Sequence, residues 1–153
     1  MSVPISFPST TANYSLPLLF TGQAQKEFSL NQSLSIIDAM LTPTVSASLS
    51  TPPTNAAEGE CFRVAAPTDG EWLAHDNDIA IRLGGAWQFV QPQDGLTVFD
   101  RLDGAFWHFN SGWKSASEPA APTGGSVIDS EVRAALSELI QALRNLGVFS
   151  DLS

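Results

Sequence analysis

The fold turns on the stretch from Asp69 to Trp113, and within it on two near-repeats, Arg82-Leu83-Gly84-Gly85-Ala86-Trp87 and Arg101-Leu102-Asp103-Gly104-Ala105-Phe106. Gly-Gly and Asp-Gly accept positive φ, so each pair predicts a two-residue hairpin loop whose twist matches its flanking strands. Pairing outward from these loops puts Arg82 opposite Trp87 and Ile79 opposite Val90, then Arg101 opposite Phe106 and Val98 opposite Phe109. Each hairpin is thus expected to set a guanidinium across from an aromatic face. In the first, Trp87 and Phe89 share the face of Arg82, with Ile79, Ile81 and Leu83 on the other; in the second, Trp107 and Phe109 share a face with Val98 and Leu102. Strands are predicted near 61–65, 79–83, 87–91, 96–100 and 105–110, with short ones at Trp113 and between Val45 and Leu49.

Helical patterns flank this meander. Ser29 and Gln32 have capping-box spacing, which predicts a helix start at Ser29. Leu30, Leu34, Ile37 and Leu41 then fall on one stripe until Pro43 ends the helix. That stripe is expected to pack on the sheet as core, the alternative being a face that seeks a partner. Near the other end, Val132, Leu136, Leu139, Leu143 and Leu146 alternate steps of four and three, the seam of a coiled coil. Asp129 and Glu131 suit the positive end of that helix, Arg144 its negative end, and Gly147 its C-cap. So short a helix does not hold itself together in water. It folds back on its own β domain or bundles with sister copies about an axis, and the bundle is the expectation.

The organisation that follows is an extended N-terminal arm over 1–28, a helix plus antiparallel β domain over 29–116, a Pro/Gly linker over 117–127 and an oligomerisation helix over 128–148. The fold class is α+β: a small antiparallel β meander of tight hairpins, an N-terminal helix packed on it, and a C-terminal coiled-coil-like helix.

Composition narrows the function. Charged residues make up 15% of the 153 and the net charge is −9, a field that repels a phosphate backbone and anionic membranes alike. No nucleic acid is expected as a partner, and no apolar run is long enough to predict membrane insertion. Met1 to Pro8 lacks the pattern of a signal peptide, so the protein is expected to be made in the cytoplasm and to leave by lysis or inside a particle. Cys61 is the single cysteine and reads as a small buried hydrophobe.

No catalytic constellation emerges. His75-Asp76-Asn77-Asp78 offers oxygen ligands but lacks the glycine and distal glutamate of a calcium loop, so a solvated turn is expected. His108, between Trp107 and Phe109, is no triad by itself. Asp94, Asp100 and Asp103 lie at hairpin ends, where acidic residues serve turn chemistry more often than glycoside cleavage. The expectation is a protein that is not an enzyme, with no catalytic residue, no metal and no cofactor. Trp72, Trp87, Trp107 and Trp113, with His108, have two readings: candidate glycan-binding residues presenting faces to sugar rings, or filling for a small core.

Two blocks of sequence carry a family resemblance. The first runs from Leu16 through Thr21-Gly22-Gln23-Ala24-Gln25-Lys26-Glu27 to Leu34, followed by Asp38-Ala39. The second comprises Glu58-Gly59-Glu60-Cys61-Phe62 and Gly85-Ala86-Trp87-Gln88-Phe89-Val90-Gln91-Pro92, with Gly95, Val98 and Asp100. In this order they resemble the DUF2793 family of phage and gene-transfer-agent proteins, whose genes lie beside those of tail fibres or head spikes. The resemblance implies a virion component for host attachment that touches surface polysaccharide or joins a fibre to the particle. Its implied partners are other virion proteins, host polysaccharide and itself, as a homotrimer or a pentamer. The brevity of the chain after Trp113 suits a base or adaptor rather than a receptor-binding tip.

Overall fold

The computed structural model describes residues 9–19, 22, 26–120 and 129–150. They form an α+β fold of two helices and two small, mostly antiparallel sheets. The chain divides into two compact units that meet in sequence at Gln91 and Pro92.

The first unit holds α1 (Lys26–Leu41), β1 (Thr44–Val45), β2 (Ser48–Leu49), β3 (Cys61–Val64), a 3-10 turn (Gly70–Trp72), β4 (Ile79–Leu83) and β5 (Ala86–Val90). Its sheet runs in the order β2-β3-β4-β5, with β2 parallel to β3 and the other neighbours antiparallel. The β4–β5 hairpin has the expected register, Arg82 opposite Trp87 and Ile79 opposite Val90. Gly84 and Gly85 close it at φ of 60° and 76°, the pair of left-handed residues that a two-residue loop demands. Alternation sends Phe62, Val64, Ala80 and Phe89 to one face, where they meet Trp72 from the 3-10 turn in an apolar cluster with Ala47. On the other face Ile79 and Ile81 are fully buried.

The N-terminal helix departs from expectation in three ways. It begins at Lys26, a turn before the Ser29 capping box, so Ser29 lies inside it. Its leucine stripe is not core: Leu30, Ile37 and Leu41 are 50%, 51% and 55% exposed. The buried residues are instead Glu27, Asp38 and Ala39. The third difference explains the second, because the polar flank of α1 is occupied by the chain that precedes it. Asp38 accepts the main-chain N–H groups of Asn13 and Tyr14, Asn31 both accepts from and donates to the main chain of Leu19, and Glu27 accepts from Gly22. Residues 9–19 are therefore no extended arm. Ser9 and Thr11 bond back to Leu18 and Leu16, closing a turn that the Tyr14 and Thr42 hydroxyls also tie to the end of α1. Of the rest of the expected arm, residues 26–28 belong to α1, and 1–8, 20, 21 and 23–25 lie outside the described residues.

The second unit holds β6 (Thr97–Asp100), β7 (Ala105–Phe109), β8 (Trp113–Ser115) and α2 (Ser130–Asn145). β6, β7 and β8 run as an antiparallel meander. Its first hairpin corrects the expected register: Val98 faces Trp107 and Asp100 faces Ala105, leaving Arg101 to Gly104 as a four-residue loop. The reason is Asp100, fully buried, whose carboxylate accepts the N–H groups of Leu102 and Asp103 and so closes a wider turn than Asp-Gly alone. Arg101 consequently sits in the loop, exposed, rather than across from Phe106. The shift is by two residues, so each side chain keeps its expected face.

α2 starts on the Asp129 cap, whose carboxylate accepts from Val132. It ends as anticipated at Gly147: the Val148 N–H bonds to the Leu143 carbonyl and the Gly147 N–H to that of Arg144, a Schellman closure with Gly147 at φ 72°. This end is anchored to the meander. Phe106 donates its N–H to the Gly147 carbonyl, Phe149 bridges to Ala116, and Arg144 forms a two-pronged ion pair with Glu118. Most of the expected linker, residues 121–128, lies outside the described residues.

Candidate functional site

The four tryptophans separate into different roles. Trp72 has 0% exposure and is core; it stands edge-on to Trp87 with ring centroids 5.1 Å apart, and Phe62 completes the trio. Its indole N–H has no acceptor among the described residues. Trp87, one strand-pair outward, is half-buried and carries the Arg82 guanidinium 5.1 Å above its ring. In the second unit Trp107 is half-buried and donates its indole N–H to Asp103, while Trp113 lies edge-on to Phe109. His108 points away from Trp107 on the strand, exposed, beside the Thr97 hydroxyl. The five candidates divide between the two units. Trp72 and Trp87 belong to one unit and Trp107, His108 and Trp113 to the other.

Two adjoining hollows in the first unit share Trp87, Arg82 and Glu71, with volumes of about 230 and 350 Å³. Pro52, Pro53 and Thr54 wall one, and Gly85, Ala86 and Phe89 the other. Sequence reasoning found Trp87 and its Arg82 partner but missed Glu71 and the prolines. Glu71 arrives through the 3-10 turn and Pro52 through the β2–β3 connection, neither of which strand periodicity reveals. An aromatic face beside one cation and one carboxylate can stack an apolar ring face and hydrogen-bond its hydroxyls.

His75 is a structural residue. Its ring stacks on Phe89 at 3.5 Å and its Nδ1 pairs with Asp78 at 2.9 Å, while Asp76 accepts the Thr68 N–H. Among the described residues no group of His, Cys, Asp and Glu is placed to hold a metal ion, and no helix is long and apolar enough to cross a membrane. Cys61 is buried, with its thiol 3.6 Å from the Gly59 carbonyl oxygen.

The second candidate surface is the seam of α2. No residue of this helix is buried, and Val132, Leu139 and Leu146 are 62%, 55% and 67% exposed. Leu136 and Leu143 are partly covered. Leu146, at the end of the helix, lines a hollow with Phe99 and Phe106 of the meander.

The model of one protein family, described as a protein of unknown function (DUF2793), matches residues 30–114, more than half of the chain. The chain belongs to the DUF2793 family. The DUF2793 match opens inside α1 and closes in β8, so it takes in the strands β1 to β7 and leaves α2 outside. No curated protein and no solved structure matches this DUF2793 chain.

Proposed function

We propose that this DUF2793 protein is a non-enzymatic structural component of a phage or phage-like particle, the base or adaptor of a tail fibre or head spike, and that it serves host attachment. It works as a homotrimer held by α2, among other virion proteins, and is released with the particle on lysis. The observation that carries this reading is the exposed seam of α2. A helix of 16 residues with a 4-3 leucine stripe and no buried residue gains its stability from packing that its own unit does not supply. The resemblance of the Gly22-to-Glu27 and Gly85-to-Pro92 blocks to phage proteins supports the setting. Sedimentation equilibrium on the purified chain is expected to show a threefold association that Leu139→Lys removes; a wild type whose mass Leu139→Lys leaves unchanged would overturn the bundle. An antibody to the chain should label purified particles from a lysate, and unlabelled particles would remove the virion assignment.

A second reading is a glycan-binding module for host surface polysaccharide, favoured by the hollows around Trp87, Arg82 and Glu71. Binding on a glycan array that Trp87→Ala abolishes and Trp107→Ala spares would support it. An array with no signal above background would dismiss it.

A further inference from the structure

β5 is the last strand of its sheet, and the phase of the hairpin decides what it shows to the open side. Leu83 and Ala86 flank the two-residue loop as a hydrogen-bonded pair, so Ile81 with Gln88 and Ile79 with Val90 are bonded too. Arg82, the residue between, turns its main chain the other way, donating to Glu60 and accepting from Gly59. Its partner Trp87 therefore directs its own N–H and C=O out from the sheet, as does Phe89. None of the described residues bonds to the N–H of either. Edge strands in folded proteins are commonly blunted by lysine, proline or a bulge. Ala86-Trp87-Gln88-Phe89-Val90 has none of these, and no charge occurs from Gly84 to Gln93 in a chain of net charge −9.

We propose that β5 pairs edge to edge with β5 of a second copy, antiparallel, about a two-fold axis at Gln88. The strand is complementary to itself in both respects that pairing requires. Its two outward-bonding residues lie symmetrically on either side of Gln88, so each Trp87 meets the partner subunit's Phe89 with donors facing acceptors. Both side chains stand on the same sheet face, so the two cross-strand pairs formed on that face are aromatic with aromatic. The uncharged edge brings two strongly acidic chains together where repulsion is least. Pro92 ends the ladder just past the strand. This contact is separate from the α2 seam and stands or falls without it.

Gln88→Cys in the full-length chain tests the pairing. At the axis the two copies of residue 88 form a directly opposed, non-hydrogen-bonded pair with Cβ atoms about 4.5–5.5 Å apart, close enough for a disulfide with slight adjustment. Mild oxidation should yield a covalent dimer roughly tenfold faster than Ala86→Cys, which lies off the axis. Wild type, whose Cys61 is buried, should yield none. The dimer should form equally in a Leu139→Lys background, in which the helix seam is broken. In that background Gln88→Lys, which sets two like charges against each other, should sediment as a monomer with an unchanged far-UV spectrum. Crosslinking of Gln88→Cys no faster than Ala86→Cys would overturn the proposal. So would preferential capture of a Ser6→Cys variant, which would assign the edge to the charge-free N-terminal segment instead.

Discussion

One carboxylate oxygen of Asp38 accepts the main-chain N–H of Tyr14 at 2.8 Å, and the other accepts that of Asn13. A 2%-exposed acid on α1 thus holds a turn 24 residues upstream through main-chain groups alone. Asp38→Ala leaves two donors without acceptors and is expected to cost about 2–4 kcal/mol. Asp38→Asn, which keeps one acceptor, should cost less. Urea unfolding ranks the variants, and hydrogen exchange at Asn13 and Tyr14 should accelerate in the alanine variant well before global unfolding.

Gly147 combines a φ of 72° with a close approach, since a Cβ there would stand 2.9 Å from the Phe99 ring. Gly147→Ala is expected to lose about 2 kcal/mol or more, from left-handed strain plus displacement of the ring. Gly85→Ala shares the positive φ but meets nothing within 4 Å, so strain alone should cost about 1–2 kcal/mol. Comparing the two melting temperatures separates the steric part. Equal losses would mean that the Phe99 ring moves aside freely.

Trp72 is the centre of the first unit's core, and Trp72→Ala should cost about 3–5 kcal/mol. Trp72→Phe removes an indole N–H that has no acceptor among the described residues, so part of its lost packing is offset and the cost should fall to about 1–2 kcal/mol. A phenylalanine variant as unstable as the alanine one would show that the N–H is satisfied in solution.

Asp100 determines the loop of the second hairpin. Asp100→Ala strips the Leu102 and Asp103 N–H groups of their acceptor and should cost about 1–3 kcal/mol. Its amide resonances at Leu102 and Asp103 should move and exchange faster. Undisturbed resonances there would transfer the control of the loop to Gly104.

How much of this was legible in the sequence depended on whether the signal was local. The strands were visible because period-two alternation and glycine pairs act over a few residues, and the β4–β5 register followed from Gly84-Gly85 alone. The acidic start of α2 at Asp129 and its C-cap at Gly147 were equally local. The second hairpin misled because Asp103-Gly104 resembles Gly84-Gly85, while the deciding group, the buried Asp100 carboxylate, precedes the loop. The stripe on α1 misled for a different reason. Leucine spacing identifies a helix face but not what covers it, and the clamp of Glu27, Asn31 and Asp38 put the polar flank inside. At the candidate site, Trp87 and Arg82 were found as a strand pair, whereas Glu71 and Pro52 reach it from distant turns.

By itself the sequence determined where strands and helices lie, that the chain is acidic with a neutral N-terminal stretch, and that α2 carries a 4-3 seam. These depend on periodicity, turn chemistry and charge, which act between near neighbours. Only the tertiary structure decided that Trp72 is core while Trp87 lines a hollow, that α1 turns polar residues inward, and that β5 is the last strand of its sheet. Each of these is a matter of burial and pairing between residues far apart in the chain, and such pairings leave no period in the sequence.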